Sequence, residues 1–221
     1  MHDGQNASER CLWACKTPEE RHYHDKEWGV PQHDDRVLFE FLVLESAQAG
    51  LSWLTILRKR EAYRAAFAGF AAEQVAAFDT QKNEELIANP GIVRNRRKIL
   101  STVSNARLFL DIQESFGSFD SYLWRFVDNA PRQNAWPAPG CAPAHTQQSD
   151  ALSKDLRRRG FKFTGSTIMY AYMQAVGMVN DHSINCFRWA ECARQETPER
   201  RCGSSDSNPV DAQPADSFQS D

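Results

Sequence analysis

Two cysteine–histidine pairs stand at opposite ends of the chain: Cys11 with His24, and His182 with Cys186. Thiolate sulfur and imidazole nitrogen are donors that suit zinc, and four of them close a tetrahedral site. His182 and Cys186 are four apart, a spacing that on a helix points both to one face. The order, Cys then His followed by His then Cys, is not that of a zinc finger. One ion held this way would staple the two ends of the domain together. Cys15 and His22 lie close by and compete for the same role, and a cysteine is more often core than ligand. Four protein ligands leave no position for a reactive water, so a metal here would be structural.

Glu45 is the second group of interest. A helix starting near Arg36 puts positions 38, 41, 42, 45 and 49 on one face, and Leu38, Phe41, Leu42 and Ala49 make that face apolar. An unpaired carboxylate there costs several kcal/mol, so it needs a buried partner or a ligand. Trp13, Tyr23, Trp28 and Trp53 gather in the same part of the sequence. Each alone reads as core. Together with a carboxylate, their faces suit a flat cationic heterocycle, held by stacking and cation–π attraction.

A third signal is LIANPGIVRNRRKIL, residues 86–100: a short helix, a Pro90-Gly91 turn and a helix opening with Arg94, Arg96, Arg97 and Lys98. Backbone N–H groups at such a turn attract anions, and the cations add attraction for a phosphate backbone. A helical hairpin with a solvated charged face is the plainer alternative. The same two readings hold for KDLRRRGFK, residues 154–162.

These residues must be positioned by helices. Asp34 or Asp35 caps the helix that ends at Gly50, and Ser52 caps one running to Gly69. Short helices over AAEQVAAF and EELIAN, a long one from about Arg94 to Phe116, and FDSYLWRFVD follow. Residues 130–148 read as an irregular loop. Ser149 then caps a helix closed by Gly160, followed by helices over STIMYAYMQAV and near HSINCFRWA. Alternating patterns are scarce, so the fold class is all-α.

Of 221 residues, 41% are apolar and 25% charged, which fits a globular chain able to bury a large core. No run of 18 apolar residues is present to span a membrane. MHDGQNASER does not read as a secretory signal, so the expected compartment is the cytoplasm and the six cysteines are expected as ligands or free thiols. The net charge of −3 falls entirely after residue 192, in a Ser-, Asp- and Pro-rich stretch expected to be disordered. The resulting division is a flexible extension at 1–8, a helical domain at 9–192 and an acidic tail at 193–221.

ERCLW, YHDKEWGVP, LFEFLVLESAQAGLSW, NPGIVRNRRKI, SDALSKDLRRRGFKFTG and MVNDHSINC occur in this order between residues 9 and 186. In these stretches the chain resembles the 3-methyladenine DNA glycosylase I family, a zinc-bearing branch of the helix-hairpin-helix glycosylases. The resemblance implies an all-α helix-hairpin-helix architecture whose ends are joined by one structural zinc on Cys11, His24, His182 and Cys186. It implies a base pocket with Glu45 as its glutamate and Trp13, Tyr23, Trp28 and Trp53 as its lining. One loop, RHYHDKEWGV, would then serve both zinc and pocket. DNA contacts are implied for Gly50 and Leu51 in the turn that probes the gap left by a flipped nucleotide. They are implied also for Pro90, Gly91, Val93, Arg94 and Lys98 in the hairpin. The expected partner is double-stranded alkylated DNA, and the expected state is a monomer. The first acid after Gly91 is Asp111, too far on for the catalytic aspartate of many relatives. A monofunctional hydrolase without a lyase step is therefore expected.

Overall fold

The computed structural model describes residues 9–136 and 140–194, so the extension expected at 1–8 and the tail from residue 195 lie outside the described residues. Thr17 accepts a bond from the Glu20 N–H and Pro18 fills the first turn of helix α1, Pro18–Lys26. The expectation of a loop at RHYHDKEWGV is corrected: Tyr23 and His24 lie buried on a helix. Asp34 accepts from the Arg36 and Val37 N–H groups and opens α2, Asp35–Gln48. Ser52 accepts from Thr55 N–H and opens α3, Trp53–Ala66. That helix stops short of Gly69, because Ala68, Gly69 and Phe70 take positive φ and swing the chain into α4, Ala72–Ala76.

Asp79 caps α5, Thr80–Ala88, and Asn95 caps the long α6, Arg96–Phe116. Ser118 caps the short α7, Phe119–Leu123. The next cap is Thr146 and not Ser149, which becomes the third residue of α8, Gln147–Arg158. The two side chains bond each other's backbone N–H at 3.3 and 2.9 Å, a reciprocal capping box. Helices α9, Ser166–Ala175, and α10, Phe187–Arg194, complete the described chain.

Every residue from Leu38 to Ala47 is buried. Helix α2 is thus wrapped on all sides, by α3, α6, α7 and α9. Leu38, Phe39, Leu42 and Leu44 each contribute about 1.5–3 kcal/mol of burial at this centre. Two short strands interrupt the helical pattern: β1, Arg132–Gln133, inside the stretch read as a loop, pairs in parallel with β2, Val179–Asn180, which follows α9. The first and last described segments are joined through backbone: Glu9 and Cys186 form a parallel bridge and Phe187 N–H bonds the Glu9 carbonyl at 3.1 Å. No helix among the described residues is long and apolar enough to cross a membrane.

Candidate active site

Cys11, His24, His182 and Cys186 converge, their ligand atoms all within 4.8 Å of one another and all four residues buried. His24 Nδ1 lies 2.8 Å from Asp25 Oδ1, which is bonded in turn by Arg10 Nε at 3.0 Å. His182 Nε2 donates to the Trp28 carbonyl at 3.0 Å. Both rings therefore carry their proton on the outer nitrogen. Their remaining lone pairs, on His24 Nε2 and His182 Nδ1, face each other at 3.2 Å. Two facing acceptors repel unless a cation lies between them, so the group can hold a metal ion. Cys186 is drawn toward the thiolate by Cys11 and by both histidines, while its bond to Cys186 and burial push Cys11 up. Gly29 makes the approach feasible: with φ +79°, a Cβ there would lie 3.0 Å from His182 Nε2. His182 and Cys186 do not share a helix as their spacing suggested, because α10 begins only at Phe187. A turn closed by Cys186 N–H on the Ser183 carbonyl at 2.8 Å brings them together.

Beside this group lies a cavity of about 660 Å³ lined by Trp13, Tyr23, Trp28 and Trp53 together with Glu45. The rings brace one another: Trp13 meets Trp28 edge-on at 5.1 Å and Tyr23 meets Trp53 at 5.2 Å. Trp28 also packs edge-on against His182 at 4.6 Å. The Cys/His group therefore buttresses the pocket wall.

Helix α2 buries two glutamates, and their surroundings differ. Glu40 receives Arg60 Nε at 2.6 Å and Arg64 Nη2 at 2.9 Å. Glu45, 4% exposed, leaves Oε2 with no hydrogen-bond partner. Burial alone pushes its carboxyl up to about 8. The Tyr23 hydroxyl and Trp53 Nε1 are likewise buried and unpartnered. Three side chains of the cavity lining thus each carry a buried polar atom without a partner, the signature of a site that expects a ligand. The other acids lining the cavity are occupied. Glu20 Oε2 accepts from Thr17 Oγ1 at 2.9 Å, and Asp181 accepts from Asn134, Trp136, Tyr170 and Gln174 at 2.6–2.8 Å.

The residues assigned to DNA contact divide by exposure. Gly50 takes φ +78° and presents Leu51, 40% exposed, at the turn after α2. Pro90 and Arg94 are exposed between α5 and α6. The Gly91 and Val93 N–H groups are already taken by Asn89 Oδ1 at 2.8 Å and the Tyr63 hydroxyl at 3.2 Å. Lys98 is buried and turned inward, its Nζ 2.8 Å from the Ala47 carbonyl and 2.6 Å from that of Ala49.

A model of the methyladenine glycosylase family matches residues 13–189. The chain belongs to this family. DNA-3-methyladenine glycosylase 1 of Escherichia coli (strain K12) is 46% identical over 178 residues, spanning 80% of this chain and 95% of that relative. The DNA-3-methyladenine glycosylase of Haemophilus influenzae (strain ATCC 51907 / DSM 11121 / KW20 / Rd) is 41% identical over 177 residues, 80% of this chain and 96% of the relative. Among solved structures, a crystal structure of 3-methyladenine DNA glycosylase I superposes with TM-score 0.79 at 47% identity, over 81% of this chain and 98% of that one. The Staphylococcus aureus enzyme, solved for the structural basis of 3-methyladenine recognition, gives TM-score 0.78 at 38% identity, over 81% and 96%.

Within the family match, Lys98 departs from the phosphate role assigned to it. Its ammonium caps the C-terminal carbonyls of α2, favourable for a cation at a helix end, and burial lowers its pKa. It fixes the start of the Gly50-Leu51 turn. Lys98→Met should lower stability by about 2 kcal/mol, since bonds from charged donors contribute ~1.5–3 kcal/mol. Thermal unfolding checks this: a melting temperature about 4–8 °C below wild type is expected. Gln48, Gln174 and Asp181 also line the cavity and were missed in the sequence. For Asp181 the signal was its place just before His182 in MVNDHSINC.

Proposed function

We propose that this chain excises 3-methyladenine from double-stranded alkylated DNA by hydrolysing its N-glycosidic bond. The observation that carries the reading is the aromatic cavity with Glu45 Oε2, Tyr23 OH and Trp53 Nε1 left without partners. A base methylated at N3 carries a fixed positive charge. When the bond to C1′ breaks, its electron pair stays on the base and neutralises that charge. Water supplies hydroxide to C1′ and releases a proton, leaving free base and an abasic site. No residue need protonate the leaving group.

Glu45 supplies selection and electrostatic stabilisation. Its rise from 4.5 to about 8 corresponds to roughly 5 kcal/mol opposing ionisation, at ~1.4 kcal/mol per unit. A cation about 4 Å away at an effective dielectric of ~20 returns about 4 kcal/mol. The charged base thus ionises the carboxyl it needs, while neutral adenine leaves it protonated. Extrusion of the nucleotide costs a few kcal/mol, least for a damaged base. Stacking on Trp13, Tyr23, Trp28 and Trp53 offsets it.

DNA grip on this reading combines a helix-hairpin-helix turn with side chains. Pro90, Gly91 and Val93 bring the backbone close to the phosphates, Arg94 supplies charge, and Gly50 and Leu51 enter the gap left by the flipped nucleotide. Lys98 supports that turn from inside. The metal is a structural zinc on Cys11, His24, His182 and Cys186. Zinc bonds of ~2.05 Å to nitrogen and ~2.3 Å to sulfur give tetrahedral edges of about 3.3 and 3.6 Å. The separations of 3.2 Å between the nitrogens and 3.4–3.6 Å from sulfur to nitrogen agree with these. When bound, zinc supplies only a rigid join between the chain ends. Monomeric action in the cytoplasm completes the reading.

Incubation with methylated duplex DNA tests it. Free 3-methyladenine should appear, identified chromatographically, with strands intact until alkali is added. Two lysines beside the hairpin are engaged, Lys98 turned inward and Lys59 Nζ held by the Pro90 and Gly91 carbonyls at 3.0 and 3.1 Å, while Lys16 lines the cavity and on this reading forms no bond to C1′. Strand breaks without alkali would overturn the monofunctional assignment. Tight binding of damaged DNA without release would mark a damage sensor instead.

A further inference from the structure

The segment from Arg132 to Trp136 is pinned along the cavity by contacts that local sequence does not announce. β1 pairs with β2 in the register Arg132 to Val179 and Gln133 to Asn180. Asn134 N–H then bonds the Asn180 carbonyl at 3.2 Å, and its side chain reaches Asp181 at 2.6 Å. Trp189 Nε1 holds the Asn134 carbonyl at 2.7 Å. Two residues on, Trp136 Nε1 donates to Asp181 Oδ1 at 2.8 Å, and Trp136 lines the same cavity as Glu45.

Trp136 differs from the four other aromatic residues of the pocket. Those pack on one another or on His182. Among the described residues no aromatic pair involves Trp136, although its N–H is anchored by a carboxylate with four donors. A half-buried indole that is fixed at its edge, lines the cavity and is engaged by no other ring among the described residues is a prepared stacking surface.

We infer that Trp136 is a further base-binding wall of the pocket, with Asp181 as the positioning residue that holds its ring plane for stacking. The inference rests on the proposed base-excision reading and adds a residue outside the aromatic set that the sequence motifs mark. It places the 131–136 strap, fixed by the β1–β2 pairing, in substrate binding.

Three proteins test it: wild type, Trp136→Ala and Trp136→Phe. Affinity for free 3-methyladenine is measured by calorimetry, the single-turnover rate on alkylated duplex is followed, and melting temperature and undamaged-DNA affinity serve as controls. Base stacking of ordinary strength predicts that Trp136→Ala binds the free base about tenfold more weakly and slows excision to a similar degree. Melting temperature and undamaged-DNA affinity should stay as in wild type. Trp136→Phe keeps a ring but loses the bond to Asp181, so a smaller loss of about threefold is expected. Unchanged base affinity and rate in Trp136→Ala, or a loss matched by a fall in melting temperature, would overturn the role of Trp136. Failure of wild type to bind or release the base would overturn the excision reading itself.

Discussion

Glu45→Gln should give a protein that melts higher than wild type at pH 9 and excises 3-methyladenine about 10²–10³-fold more slowly. The rate effect is that of removing one well-aimed electrostatic group from a water-poor site. The stability effect follows from proton linkage. The folded carboxyl titrates near 8 and the unfolded one near 4.5, so the folded state holds the extra proton between these values. Stability from this group is whole below pH 4.5 and is lost as pH rises through 8. At pH 9 the buried, unpaired carboxylate opposes folding by roughly 5 kcal/mol. Glutamine removes the charge but leaves a buried amide with a penalty of ~1–3 kcal/mol. A net gain of about 2–4 kcal/mol at pH 9 is expected, vanishing toward pH 5. Melting curves of both proteins at the two pH values check it. Equal melting temperatures at pH 9 would mean that Glu45 has a partner in the free protein.

Loss of the metal should have the larger structural effect. Structural zinc contributes about 10–16 kcal/mol in small domains at neutral pH, as much as the whole stability of an ordinary domain. Here it would join α1 and the turn before it to the His182–Cys186 turn. The Glu9–Cys186 bridge alone is a weak substitute. Chelation, or Cys186→Ala, should lower the melting temperature by more than about 10 °C. It should also abolish base binding, because Trp13 and Trp28 pack directly on His24 and His182. Helices α4 to α7, remote from the group in sequence, should retain their circular dichroism. Elemental analysis of the native protein should find one zinc per chain. A metal-free protein with unchanged melting temperature would contradict the staple.

Helices with side-chain caps were legible in the sequence: Asp34, Ser52 and the Arg94–Phe116 pattern led to α2, α3 and α6 within two or three residues. Helix α1 was missed although Thr17, Pro18 and Glu20 form a start signal, because the density of charged and ligand-type residues after it drew the reading to a loop. His182 and Cys186 meet across a turn, so helical spacing was the wrong reason for a correct pairing. Glu45 was found from one apolar face, yet α2 is buried all round. What separates it from Glu40 is the presence of Arg60 and Arg64 from α3, a tertiary fact. The β1–β2 pairing and the Asp181–Trp136 bond join positions more than forty residues apart. Two-residue strands carry no periodicity, so nothing local could reveal them.

The pH dependence of kcat/KM for release of 3-methyladenine from duplex DNA tests the central claim most directly. This ratio reports ionisations of the free enzyme, and the substrate's charge is fixed by methylation. A carboxyl waiting unpaired for a cation predicts a ratio that rises with pH and levels off above about 8, with the limb absent in Glu45→Gln. A flat profile from pH 6 to 9, or no base released at all, would contradict it.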